Sequence, residues 1–396
     1  MSTDAAGSTA AAASTGAGAT DGPLRVTTLE LFFDLVFAFT LTQLTVAAGS
    51  GQSLAAIGRV LLVFGLLWWM YEGYAWLTNS RPPVHAAERL LLLVGMAGFL
   101  IIGLTIPRGF STDGLALGLG YLVVVLVHSA LYYRVNANIV RIAPFNIGTA
   151  LLVIVAGALG GPARYPLWAA ALVIQLGSPL LVRPGRLFTL NPFHLAERHS
   201  SLLIVALGES VAAISIGTAA HPGGLGAGLL TSSVLGLALA AALWWVIFGG
   251  DDEERTRAAL TTASSERRTA LALQALFYGN APVLLGLVAM AAGVQEAIKE
   301  PGAPRPATAA VLAAGAALFL GGDAAVRTLL WRGGVAFRAA GATAALATMA
   351  AGATIGLRAQ VALLTAVLAV TLLAERHWAA PTEKTEAIHD TAGESR

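Results

Sequence analysis

The 396-residue chain contains no cysteine. That removes disulfides, thiolate metal sites and cysteine nucleophiles together. Charge is scarce: 12% of residues are Asp, Glu, Lys or Arg, about half of what a soluble domain carries. Lysine is nearly missing, since 22 of the 24 basic residues are arginine. These arginines are scattered and the net charge is only +2, so no nucleic-acid partner is expected. No Gly-x-x-x-x-Gly-Lys-Ser/Thr loop occurs, which excludes an ATP-driven pump working from its own chain. Gly208-Glu209-Ser210 lacks the serine between glycines that a nucleophile elbow needs. No catalytic residue, cofactor or resident metal is assigned from the sequence.

What the chain does have is hydrophobic length. Apolar residues make up 56% of it and the mean hydropathy is +0.73. A crossing needs about 20 mostly apolar residues. On that rule spans fall near 28–47, 54–77, 87–106, 114–133, 141–160, 165–182, 198–219, 225–248, 268–293, 307–320, 336–354 and 358–375. The tenth is short and Ala-rich, which leaves the count between ten and twelve. The expectation is an all-α, polytopic integral membrane helix bundle of about 12 transmembrane helices, with the lipid bilayer as its partner. Residues 1–24 and 379–396 read as a disordered leader and a disordered polar tail.

Lys and Arg set the orientation. Assigned to the nearer span end, eighteen fall on one side. Six, namely Arg59, Arg108, Arg164, Lys299, Arg305 and Arg358, fall on the other. This predicts an inner (plasma) membrane protein with both termini in the cytoplasm. Two parallel six-helix repeats, residues 25–190 and 191–378, are suggested by paired landmarks. Leu67-Trp68-Trp69 is matched by Leu243-Trp244-Trp245, and Glu88-Arg89 by Glu266-Arg267. Copies of six spans each point the same way and place any shared site at their interface.

Charged residues inside spans are costly and mark pathways or pairings. Glu30 and Asp34 are four residues apart, hence on one helix face. A second acidic segment, Glu197-Arg198-His199 through Glu209, opens the second half. Glu72, Gln43 and Asn280 add polar groups within spans. Together Glu30, Asp34, Gln43, Glu72, Glu197, His199, Glu209 and Asn280 form a candidate ion, proton or substrate path. The alternative for Asp34 and Glu209 is a structural ion pair, with Arg89, Arg141 or Arg198 as mates. For Glu30 and Glu197 it is capping of a helix N-terminus. His194, Glu197 and His199 form the best metal candidate. Their spacing, however, prevents one helix from aiming all three at one ion. Pro192 reads as a helix stop before the seventh span. Gly279-Asn280-Ala281-Pro282 interrupts the ninth, as a break that frees carbonyls or as a mere kink. Gly114-Leu-Ala-Leu-Gly118 fits a close-packing motif.

Glu30-Leu-Phe-Phe-Asp34-Leu-Val-Phe with Thr42-Gln43, and Ala196-Glu197-Arg198-His199 through Leu207-Gly208-Glu209-Ser210, resemble the bacterial low temperature requirement A (LtrA) family over residues 25–378. The resemblance implies an integral inner-membrane protein and supplies no mechanism. A looser likeness, to potassium channels built from six-helix repeats, rests on Phe33-Asp34-Leu-Val-Phe37-Ala38. Phe33 stands there in the place of a serine. The leading expectation is a proton- or cation-linked transporter or ion-conducting protein, taking a small ion or small molecule. The alternatives are a membrane enzyme acting on a lipid-like substrate and a non-transporting structural protein. An oligomer is left open.

Overall fold

The described apolar segments are helical, and no strand occurs among the described residues. The computed structural model describes residues 25–50, 53–109, 112–182, 190–221, 224, 226–300 and 302–378. The expected leader (1–24) and tail (379–396) lie outside these. The first half comprises α1 (Thr28–Ser50), α2 (Leu54–Ser80), α3 (Ala86–Gly109), α4 (Gly114–Val135), α5 (Ala143–Leu159) and α6 (Arg164–Val182). The second comprises α7 (Pro192–Ala219), α8 (Ala227–Phe248), α9 (Asp252–Thr262), α10 (Ser265–Leu271), a π-helical segment (Ala272–Tyr278), α11 (Gly279–Lys299), α12 (Pro306–Leu329), α13 (Val335–Ala347), α14 (Met349–Thr354) and α15 (Leu357–Trp378).

Ten continuous helical stretches among the described residues are long and apolar enough to cross a bilayer, with α13 and α14 together forming one of them. The short tenth span expected at 307–320 is in fact a 24-residue helix, α12. Of the segments expected to cross, α5 falls short, while α6 has 19 residues. α5 has 17 residues, about 25 Å at 1.5 Å per residue, because Gly160 and Gly161, both with φ near 60°, end it. The outside of the bundle is as apolar as the inside. On α3, Leu92, Met96, Phe99 and Ile102 are buried while Leu90, Val94, Ile101 and Leu104 are exposed. A helix apolar all round belongs in lipid, and the chain is a polytopic membrane protein.

Neighbour relations recur in the two halves. α3 packs on α1 and α4, and α4 on α5. Likewise α11 packs on α7 and α12, and α12 on α13. α6 lies on α2, and α15 on α8. α1 and α7 touch each other directly. Their contacts advance together along both helices: Val26 to Glu197, Asp34 to Arg198, Thr42 to Glu209. The two helices are therefore parallel and in register, so an even number of crossings lies between their starts.

Two local features shape the site. Pro192 does not stop a helix, as expected from the sequence, but opens α7. The Asn191 side chain accepts from the Phe193 and His194 amides, and proline at the first position needs no donor of its own. The Gly279–Pro282 stretch does not break α11 either. Pro282 offers no N–H to the carbonyl four residues back. The preceding turn widens into the π segment, where the Gly279 amide reaches Gln274 O. The Trp68 indole donates to Phe277 O at 3.0 Å. The glycines of the 114–118 motif pack against α5: a Cβ on Gly118 would sit 2.7 Å from the Ile154 Cα.

Candidate functional site

α1, α2 and α7 meet around one buried arginine. Arg198 Nη2 lies 2.8 Å from Asp34 Oδ1, and its Nη1 lies 3.1 Å from Glu30 Oε1. All three residues are at most 1% exposed. The guanidinium also sits 5.7 Å from the Phe33 ring centre and 5.8 Å from that of Tyr71. Tyr71 OH donates to Asp34 Oδ1 at 2.8 Å. Arg198 is thus the mate that the ion-pair alternative required, with a fork that engages two carboxylates at once.

Glu30 serves two purposes, one per oxygen. Its Oε2 accepts from the Thr27 amide and hydroxyl, each at 2.8 Å, and the Glu30 amide donates to Thr27 Oγ1 at 3.3 Å. This is a capping box, which satisfies otherwise orphaned amides at the start of α1. Its Oε1 faces inward to Arg198 and to His194 Nε2, the latter at 3.0 Å. His194 Nδ1 lies 3.3 Å from Asn79 Nδ2. The Asn79 amide is oriented by giving to Asn191 O and taking from Asn191 N. Nδ1 therefore accepts, and Nε2 is the ring nitrogen that faces Glu30.

Glu72 and His199 form a second buried pair, Oε1 to Nε2 at 2.9 Å. His199 Nδ1 lies 2.8 Å from Leu195 O. A carbonyl oxygen only accepts, so Nδ1 is the donor there. The Nε2–Oε1 contact then needs one proton, held by the imidazolium or by the carboxyl. That proton leaves the pair neutral as a unit. Glu30, Asp34 and Arg198 together still carry one uncompensated negative charge. Asp34 Oδ2 and Glu72 Oε2 have no hydrogen-bond partner among the described residues. An uncompensated buried charge is strongly disfavoured, so this network calls for one further proton or cation.

The remaining residues expected in the path divide. Glu209, 7% exposed, accepts from Thr42 Oγ1 at 2.7 Å and has no arginine partner among the described residues. It lies farther along the α1–α7 interface, where its partner Thr42 is eight positions and about 12 Å of helix rise beyond Asp34. Glu197 is half-buried and accepts from the Val26 amide at 3.2 Å, tying the start of α1 to α7. Gln43 is half-buried. His194, Glu197 and His199 diverge to three different partners. No group of three metal-ligating side chains was found among the described residues.

Two cavities flank the Glu72–His199 pair. One of about 160 Å³ is lined by His199, Asn280, Phe319, Asp323 and Arg332, among others. The other, about 90 Å³, is lined by Trp69, Glu72, His128, Tyr132, Asn146 and Phe277, among others. Leu276 and Phe277, adjacent in the π segment, face different cavities. Asn280 is therefore placed at the His199 cavity and not beside Asp34.

A second charge cluster adjoins the larger cavity, and sequence reasoning missed it. Arg327 lies 2.8 Å from Asp323, 2.5 Å from Asp252 and 3.1 Å from Glu375. Arg338 lies 2.7 Å from Glu375. Arg332 is 9% exposed and its guanidinium reaches Thr256. These arginines count towards orientation in the sequence, where nothing distinguishes a loop arginine at the interface from a buried one. The one local signal is Asp323 and Arg327 at i and i+4.

The family model for bacterial low temperature requirement A protein (LtrA) matches residues 25–374. An uncharacterized protein of Rhizobium meliloti (strain 1021) is 30% identical over 201 residues, covering 47% of this chain and 49% of that protein. The chain thus spans about half the length of the curated relative it matches. No solved structure matches. With the family model covering most of its length, the chain belongs to the LtrA family.

Proposed function

We propose that this LtrA-family membrane protein is a proton- or cation-linked transporter or an ion-conducting protein. In this reading it lies in the bacterial inner membrane with both termini cytoplasmic. The observation that carries the reading is the charge balance around Arg198: three buried carboxylates, one permanent cation, and a shared proton between Glu72 and His199. Such a network takes up or gives up a proton or cation without exposing an ion to lipid. Asp34 and the Glu72–His199 pair are the inner stations, and Glu209 is the outer one. The apolar α1–α7 interface between them restricts leakage. The halves are read as two parallel six-helix repeats, which the recurring neighbour relations and the parallel α1–α7 register support. The three-helix site then lies where the repeats meet.

The test is flux in liposomes. Purified protein is reconstituted and internal pH is followed under imposed proton, sodium and potassium gradients, beside Asp34→Asn and Glu209→Gln. Flux that both substitutions abolish, with the fold intact by circular dichroism, supports the reading and identifies the ion. Well-folded protein that carries no ion under any gradient overturns it. The carboxylates would then be helix-joining groups held by Arg198.

A further inference from the structure

We propose that an arginine-lined cavity at one end of the bundle binds a phosphate group. The cavity, about 280 Å³, lies among the ends of α8, α12 and α15 and the starts of α9 and α13. Five arginines line it, Arg255, Arg327, Arg332, Arg338 and Arg376, against three carboxylates, Asp251, Asp252 and Glu375. Arg327 and Arg338 are answered by Asp252, Asp323 and Glu375. The other three arginines are not. Arg255 and Arg376 are exposed at the cavity and form no ion pair among the described residues. Arg332 is only 9% exposed, and its one described carboxylate neighbour is Asp252 at 4.0 Å, which already lies 2.5 Å from Arg327. Burial holds the Arg332 pKa below the ordinary arginine range even with Asp252 and Asp323 nearby. Its guanidinium stays charged all the same. A buried charge without its counter-ion is strongly disfavoured, so an anion belongs in this space.

The backbone makes room for one. Gly250 and Gly333 belong to the wall, and a Cβ on either would meet nothing within 4 Å. α13 starts at the same wall. Its cap, Gly334, brings no side-chain acceptor to the amides of the first turn, and a helix N-terminus favours an anion. A carboxylate would present two oxygens in one plane. A phosphate presents oxygens in several directions, which suits guanidinium forks arriving from α9, the α12–α13 turn and α15. An anionic lipid head and a free phosphate share this chemistry, and the surroundings favour the lipid. Trp245, on the cavity wall, is 49% exposed, as suits a side chain at the membrane–water boundary. α8 and α15 pack on each other, and Leu237, Trp244, Val370 and Leu373 keep their outer faces apolar. A lipid with its head in the cavity would lay its chains there. The arginine count reads this end as cytoplasmic, the side on which basic pockets between helices hold anionic heads.

Isothermal titration of the purified full-length protein in dodecyl maltoside tests the site. The probes are dihexanoyl phosphatidylglycerol, dihexanoyl phosphatidylcholine and inorganic phosphate, at matched ionic strength. Saturable phosphatidylglycerol binding is expected, about tenfold tighter than that of phosphatidylcholine and about tenfold weaker in Arg332→Gln. The double variant Arg255→Gln/Arg376→Gln changes two exposed side chains, so it tests the charge even where Arg332→Gln impairs folding. Affinities for both anions unchanged in the folded variants, or no binding of either, would falsify the proposal. So would equal binding of the two lipids without any binding of phosphate. Tighter binding of phosphatidylglycerol than of inorganic phosphate assigns the site to a lipid head, and the reverse assigns it to a free phosphate. The substituted arginines lie outside the Arg198 network, so this result and the flux result stand or fall separately.

Discussion

Glu72 Oε1 and His199 Nε2 lie 2.9 Å apart with one proton between them, because the other ring nitrogen is committed to the Leu195 carbonyl. A glutamine at position 72 can donate its amide hydrogen to a neutral imidazole in the same geometry. Glu72→Gln should therefore change stability by less than about 1 kcal/mol, whereas Glu72→Leu, which strands a buried ring nitrogen, should cost about 1–3 kcal/mol. Denaturant unfolding in mixed micelles measures both. Equal costs would show that the proton carries no structural weight.

Arg198 holds two carboxylates at once. Arg198→Met should destabilise the protein by about 3–5 kcal/mol, since it leaves Glu30 and Asp34 buried without a cation. Adding Asp34→Asn should recover part of that loss. A double variant no more stable than Arg198→Met alone would mean that Asp34 and Arg198 are not coupled. Arg198→Lys should also fail to restore the native stability, because a single ammonium cannot reproduce the fork that spans Oε1 of Glu30 and Oδ1 of Asp34.

Trp68 is the group that satisfies the widened turn before α11. Trp68→Phe keeps most of the packing and removes the indole donor from Phe277 O. The expected cost is about 1–3 kcal/mol for the buried carbonyl left without its partner. Faster hydrogen exchange across residues 272–282 should accompany it. Exchange unchanged from the parent would place the stabilisation of the π segment elsewhere.

Two glycines should behave oppositely. A Cβ on Gly286 would lie 2.5 Å from Gly315 O and 2.7 Å from Phe319 N, both backbone atoms of α12. Gly286→Ala must push α11 and α12 apart and should cost about 1–3 kcal/mol. Gly148, in α5, has nothing within 4 Å of the added carbon. Gly148→Ala should stabilise by about 0.5–1 kcal/mol through helix propensity. Thermal melts of the two variants in one detergent compare them directly.

Helices and acidic stations were legible in the sequence because both depend on local pattern. Long apolar runs mark crossings, and Glu30 and Asp34 share a face through their spacing alone. Arg198 stood among three candidate mates, and nothing local could choose between it, Arg89 and Arg141. The Glu72–His199 pair was not legible. The two residues are 127 positions apart, and their meeting depends on α2 lying against α7. The same applies to Asp252, Arg327 and Glu375, which come from three helices. Pro192 was misread because proline signals both a stop and a start, and the Asn191 cap that decides between them needs backbone geometry. Gln43 follows Thr42, which does touch Glu209. One residue along a helix turns a side chain by about 100°, so the face that Thr42 presents to Glu209 is not the one Gln43 presents.

The distance along the chain between Asp34 and Arg198 has a consequence for assembly. Ribosomes add about 5–20 residues per second, so 164 residues separate the two by roughly 10–30 s of synthesis. During that interval Glu30, Asp34 and Glu72 are already made, and the arginine that answers two of them does not yet exist. The newborn first half must wait with those acids protonated, wet or shielded by the insertion machinery. Arrival of α7 closes the centre of the molecule, so the step that completes the site also commits the two halves to each other.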